Sequence, residues 1–174
     1  MANLSHLSEG EMKEILMLQE RLTLLDTQEK ARDSFLEYIH HIWPSFIEGD
    51  HHRIIADKLT RVAKGELKRL IVNMPPRHTK SEFASIYFPS WVMGLKPDMK
   101  IMQTTHTADL SINFGRKVRN LMDSDEYSKI FPKVSLAADS KSAGKWQTSQ
   151  GGEYFAAGVG GAIAKMSKNR LQKI

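Results

Sequence analysis

Apolar positions recur along this chain at a helical period, then as an unbroken run, then in short turn-separated bursts, and each change marks a new element. From Ser8 the stretch SEGEMKEILMLQERLTLL places Met12, Ile15, Leu16, Leu18 and Leu22 near helical spacing, with Ser8 as N-cap and Glu11 completing a capping box. Asp26 opens a second helical pattern with Glu29 three residues on; Phe35, Leu36, Ile39 and Ile42 form its stripe and Pro44 ends it. A third pattern carries Ile54, Ile55, Leu59 and Val62 on one face and closes at Gly65. The period then disappears. KRLIVN is apolar on consecutive positions, which predicts a central strand covered on both faces. SEFASIYFPSWVMG reads as a helix that Pro89 bends or ends and Gly94 closes. MKIMQTT predicts a second strand, and a helix follows carrying Leu110, Phe114, Val118 and Leu121. Two short strands of a hairpin come last, Trp146 to Thr148 and Glu153 to Ala157. The alternation of strand, helix, strand and helix predicts an α/β fold: a parallel sheet with right-handed crossovers and flanking helices, preceded by an N-terminal helical segment.

Composition narrows the class. At 174 residues, with 41% hydrophobic and 26% charged side chains, the chain reads as about one soluble globular domain. It holds no cysteine, which excludes disulfides, Cys-ligated zinc and a thiol nucleophile. MANLSHLSEGEMKE lacks a basic flank followed by an apolar stretch, and no apolar run reaches the roughly eighteen residues of a membrane span, so no membrane association is expected. The net charge of +5 is unevenly spread: residues 1–50 carry 4 basic and 10 acidic side chains, 51–164 carry 17 and 10, and 165–174 carry 4 and none. The boundaries expected from this are an acidic helical lead over 1–50, a main segment over 51–164 and a basic tail over 165–174. The lead is either a packed, solvated appendage or a docking surface for a basic neighbour. The basic middle is compatible with a polyanionic ligand such as nucleotide or DNA.

The candidate chemistry lies in LIVNMPPRHTKSE, Leu70 to Glu82, where a predicted strand runs into a predicted helix. The phosphate-loop pattern G-x-x-x-x-G-K-[ST] would place glycine at Met74 and at Thr79, and both are absent. What such a loop needs is a row of backbone N–H groups, a helix N-terminus behind them, a lysine for the outer phosphates and a hydroxyl for magnesium. Pro75 and Pro76 lack N–H groups but stand at the loop's start; Arg77, His78, Thr79, Lys80 and Ser81 keep theirs. Lys80 occupies the strand-to-helix junction and Ser81 follows as the magnesium-side hydroxyl. Met74 costs little if the start of the loop is extended, as a following proline favours. Thr79 is the harder departure, because a β-branched residue resists positive φ and its Cβ crowds the approach of a phosphate. Either the loop keeps negative φ there or nucleotide binding is weakened. A polar turn after a strand also needs no ligand at all.

The segment HHRIIADKLTRVAKGELKRLIVNMPPRHTKSE resembles the start of the ATPase domain in the large subunit of tailed-phage terminases, whose loops often read Pro-Pro-Arg-His-Gly-Lys-Ser-Glu. The likeness continues through TTHTADLSINFGRKVRNLM and GKWQTSQGGEYFAAGVGGAIA, from about His51 to Ala164. The resemblance implies a P-loop NTPase-type sheet that binds ATP and Mg2+, with Pro76, Arg77, His78, Thr79, Lys80, Ser81 and Glu82 in the nucleotide loop. Lys80 then matches the phosphate-binding lysine, Ser81 the magnesium-side residue, and Arg77 an arginine that senses or stabilises the γ-phosphate; charge developing there is what such a cation offsets. His51 and His52 match a segment near the adenine. The implied full-length protein is a phage-encoded motor of the host cytoplasm, a homo-oligomeric ring absent from the mature virion. It moves double-stranded DNA into the procapsid with a small terminase subunit and a portal protein. Thr79 departs from the family's glycine. In the family a strand ending in two acids follows the segment matching GVGGAIA, whereas here KMSKNRLQKI follows and no Asp or Glu appears after Glu153. The expectation is therefore a sheet that is incomplete, in a product truncated near Ala164.

Other candidates have plainer readings. Adjacent histidines on a helix, His40-His41 and His51-His52, diverge by about 100°, and no carboxylate or cysteine grouping completes a metal site around them. Asp123 to Tyr127 lacks the ligand spacing of a calcium loop, and Ser124 or Asp125 more simply caps a short helix. Trp146, Tyr154 and Phe155 read as hairpin core rather than base-stacking residues. Arg116, Lys117 and Arg119 suit DNA phosphates and a solvated helix face equally well. Two functions compete: the ATP-binding part of a packaging motor, and a non-enzymatic module that joins or blocks terminase assembly.

Overall fold

The structure, a computed structural model, describes residues 8–139 and 142–159. The basic tail and the expected break near Ala164 lie outside the described residues.

Helix α1 (Glu9–Asp33) opens with the expected capping box: Glu11 N–H donates to Ser8 Oγ at 3.3 Å, and Ser8 N–H donates to the Glu11 carboxylate at 2.8 Å. It does not stop at Asp26. That carboxylate lies inside the helix and pairs with Lys30 one turn on, at 2.7 Å. The chain breaks instead at Ser34, whose extended backbone and side chain cap α2 (Phe35–Ile42) by accepting from Glu37 N–H. A capping sequence works only where the chain enters from an extended residue. The residues around Asp26 are good helix formers and carry straight through. Only Ala31 of α1 is buried, while Leu16, Leu18, Leu22 and Leu25 are each more than half exposed. Helix α3 (Asp50–Lys64) ends as expected at Gly65, left-handed with φ of 82°.

The predicted central strand is the main correction. Residues 67–75 form no helix and belong to no strand, and Ile71 is 86% exposed. An unbroken apolar run becomes a strand only with a neighbouring edge to pair with. Here Leu70 to Met74 lie along His51, Ile54, Ile55 and Lys58 of α3 on one side, around an apolar cleft of about 260 Å³. The helical run after the loop is continuous: α4 (Lys80–Glu82), a π-helical turn (Phe83–Tyr87) and α5 (Phe88–Leu95). The wide turn sits where Pro89, lacking an N–H and crowding the carbonyl four residues back, would strain a regular α-helix, so proline does not end it. Gly94 does not close α5 either. It lies inside the helix, where a Cβ would stand 2.4 Å from the Phe131 ring.

The described residues form one three-stranded sheet of mixed direction, ordered β1 (Lys100–Thr105), β3 (Glu153–Gly158), β2 (Lys145–Gln147). β1 runs parallel to β3 with Ile101 opposite Tyr154, and β2 pairs antiparallel with Trp146 opposite Tyr154. The parallel partner of β1 is thus the second hairpin strand, not the segment before the loop. Helix α6 (Ala108–Met122) packs on β1 and β3, and Gly115 brings it close: a Cβ there would lie 3.0 Å from the Tyr154 ring. The Trp146 indole N–H donates to the Gly115 carbonyl at 3.1 Å, and its ring stacks on Tyr154 at 4.8 Å. Trp146 and Tyr154 are core, as their plainer reading held, whereas Phe155 is only half-buried and lies outside that cluster. Helix α7 (Asp125–Ile130) is capped by Ser124.

A buried aromatic cluster joins α2, α5 and α7. Phe35, Tyr38, Trp91 and Tyr127 are fully buried. Their polar atoms are all satisfied: Tyr38 OH meets Ser90 Oγ at 2.7 Å, Tyr127 OH donates to the Ser90 carbonyl at 3.0 Å, and the Trp91 indole N–H donates to the Ala31 carbonyl at 2.8 Å. Among the described residues, no helix is long and apolar enough to cross a membrane.

Candidate phosphate-binding loop

Pro75 to Thr79 link the preceding irregular segment to α4. The backbone turns at Pro76 and Arg77 and bends again at His78 and Thr79. Arg77 and Thr79 both adopt left-handed conformations, with φ of 65° and 55°; they are the non-glycine residues of the described chain with positive φ. The sequence left two choices at Thr79, and the structure takes the strained one. A left-handed β-branched residue costs on the order of 1–3 kcal/mol, so something must hold it.

That hold comes from His52. Its ring is buried on α3, stacked at 5.2 Å on Phe83 and edge-on to Phe46 at 4.8 Å. Gly49 N–H donates to Nδ1 at 3.0 Å, so Nδ1 is an acceptor and the ring proton resides on Nε2. Nε2 lies 2.6 Å from Thr79 Oγ1. Burial, and secondarily the neighbouring His51, hold the His52 imidazole below its ordinary pKa; Glu48 opposes them and His78 adds to them. The neutral form that this geometry requires is therefore the favoured one.

The remaining candidates gather around this contact. Lys80 opens α4, with Nζ reaching back across the loop to the Met74 carbonyl at 3.3 Å. Ser81 is exposed beside it, and Glu82 is half-buried in the same first turn. The exposed His78 donates from Nδ1 to the Pro76 carbonyl at 2.9 Å, which tightens the turn. Arg77 and Pro76 are exposed at its tip. The His51 ring lies tilted against His52 at 3.8 Å and edge-on to His78 at 5.7 Å, and its Nε2 is buried without a hydrogen-bond partner. Ring contact between adjacent histidines was not expected from helical spacing; both side chains lean toward the loop. The backbone amides of Arg77, Thr79, Lys80 and Ser81 have no hydrogen-bond acceptor among the described residues. Open amides next to left-handed residues, beside a helix start and a lysine, are the kind of donors an anion takes.

Sequence reasoning missed three contributors: Gly49, Phe83 and the Met74 carbonyl. Gly49 had a readable signal, because Gly49-x-x-His52 has the spacing of a capping box with imidazole in place of carboxylate. A Cβ at Gly49 would stand 3.1 Å from the His51 ring, so small size matters there too. The other histidine pair has separate work: His40 meets Glu48, at 2.6 Å from Nε2 to the carboxylate, and Arg53 bonds the same carboxylate. A larger groove of about 900 Å³ lies beside β1 and includes none of the loop residues. No family model, curated protein or solved structure matches this chain.

Proposed function

We propose that this chain is the ATP-binding part of a P-loop ATPase of the large terminase type, a motor that couples ATP hydrolysis to moving double-stranded DNA into a procapsid. Small terminase subunit, portal protein and a homo-oligomeric ring belong to the same reading. The observation that carries it is the coiled loop from Pro76 to Ser81: two left-handed residues, four open amides and the Lys80 ammonium lie along one short turn in front of a helix. A merely connecting turn has no reason to keep Thr79 left-handed against its intrinsic preference. In this reading Lys80 leaves Met74 for the outer phosphates, Arg77 covers the γ-phosphate and Ser81 turns its hydroxyl to Mg2+. His51 and the apolar cleft it lines with Ile54, Ile55 and Leu70 lie on the side of the base.

ATP affinity measured with and without Mg2+ tests this. Lys80→Ala should weaken binding about 10- to 100-fold, the range of a charge-assisted hydrogen bond, and Ser81→Ala should shrink the Mg2+ dependence. Equal affinity in wild type and Lys80→Ala sinks it. A second reading, a non-enzymatic module that joins or blocks motor assembly, draws on a specific feature: Thr79 stands left-handed where the loop pattern has glycine, and its Cβ crowds the approach of a phosphate. Nucleotide binding without turnover supports that alternative, and turnover abolished by Lys80→Ala supports the first.

A further inference from the structure

The strain at Thr79, its bond to an inward-facing histidine and the missing glycine belong together. We propose that His52 is a positioning residue that makes threonine workable at the loop's glycine position, and that it turns the Thr79 hydroxyl into an extra donor for the bound anion. The inference rests on the phosphate-loop reading above.

Gly49 N–H can only donate, so His52 Nδ1 accepts and Nε2 bears hydrogen. Nε2–H therefore donates to Thr79 Oγ1 across 2.6 Å. A hydroxyl that accepts this bond still has its own proton to give, and that proton has no acceptor among the described residues. Thr79 is half-buried, with open amides on either side of it, at its own N–H and at Lys80. An anion seated on those amides is the acceptor the hydroxyl lacks. Hydrogen bonds in such a chain polarise one another in the direction that strengthens the last donor. The anchor is rigid, because the His52 ring is clamped between Phe46 and Phe83, and Phe83 begins the π-helical turn behind α4. The ligand class is thus a phosphate chain that takes a side-chain donor at this position, where glycine offers backbone only.

A double-mutant cycle tests it, with Mg·ATP and pyrophosphate as probes. His52→Phe keeps a ring between Phe46 and Phe83 but loses the donor; Thr79→Val keeps the shape but loses the hydroxyl. Each should weaken binding about tenfold, the scale of one hydrogen bond. In a Thr79→Gly background, His52→Phe should change affinity less than about twofold, because glycine adopts the turn unaided. An equal His52→Phe effect in both backgrounds, or none in wild type, overturns the proposal. Thr79→Val, at a half-buried loop position, keeps the test sharp should His52→Phe fail to fold. Nitrogen-15 spectra of the free protein separate this inference from the one beneath it. A neutral His52 with hydrogen on Nε2, together with Thr79 backbone shifts that lose their left-handed signature in His52→Phe, supports the positioning role even if ATP binds no variant, an outcome that sinks the phosphate reading alone. A His52 protonated on Nδ1 near neutral pH overturns the positioning role whatever the affinities are.

Discussion

Trp91 and Ile71 stand on opposite sides of the loop in sequence, each within an apolar stretch, yet Trp91 is fully buried and Ile71 is 86% exposed. Around Trp91 the helices α2, α5 and α7 come together, and their rings interlock: Phe35 meets Tyr38, Phe83, Phe88 and Trp91, the last at 5.4 Å, and Tyr38 meets Tyr127 at 6.5 Å and Phe131. Around Ile71 the cleft is lined, among the described residues, by α3 and the segment's own neighbours. Apolarity is a demand for cover, and only the first region has the cover. The loop is mounted between the two. Its far end is fixed to the packed side through Phe83 and His52, and its near end hangs from the uncovered segment at Met74. The strained conformation at Thr79 is sustained from one side.

The sharpest way to break this contrast is to hollow out the packed side. Trp91→Ala removes a fully buried indole and leaves the Ala31 carbonyl without its donor. The expected loss is about 3–5 kcal/mol, read from denaturant unfolding, a large fraction of the roughly 5–15 kcal/mol that holds a typical fold. A loss below about 1 kcal/mol would mean that the aromatic cluster is not what holds the fold.

A smaller, graded loss should follow acidification. His52 and His41 are both held below the ordinary histidine pKa, chiefly by burial; His51 adds to this at His52, and Lys129 does so at His41 against Glu126. Between these lowered values and the ordinary one the unfolded chain binds more protons than the folded one, so stability rises with pH there. Their contribution is complete above the ordinary histidine range and is lost as pH falls through it toward the lowered values. His52→Phe should flatten part of that slope in a urea titration series; an unchanged slope would show that His52 is already charged in the fold, which contradicts its bond from Gly49.

These two regions also explain what could be read in advance. Helices announced by a cap and a stripe were legible, as at Ser8 with Glu11, at Gly65 and at Ser124, because the determinants lie within one turn of the boundary. Asp26 misled because its spacing to Glu29 imitates a cap in a stretch that helix formers carry through. KRLIVN misled for a different reason: a strand is made by its neighbours, and local apolarity names neither which neighbour nor whether one is present. The placement of Lys80 at a helix start was legible from the loop's own sequence. The bond from His52 to Thr79 was not, since it spans 27 positions and serves a φ angle that no residue pattern declares for threonine.

The gentlest change probes the uncovered side. Ile71→Ser removes an apolar side chain that is already in water, so the transfer term that dominates core substitutions is nearly absent, and the folded chain should stay within about 0.5 kcal/mol of wild type. The same polar side chain at Ile39, fully buried against Phe35 and Tyr38, would cost several times more. Urea unfolding of Ile71→Ser beside the wild type measures the difference. A loss above about 2 kcal/mol would mean that Ile71 is buried in solution by something the chain or a second copy supplies. Concentration dependence of that loss would tell the two apart, because only a second copy makes stability rise with protein concentration.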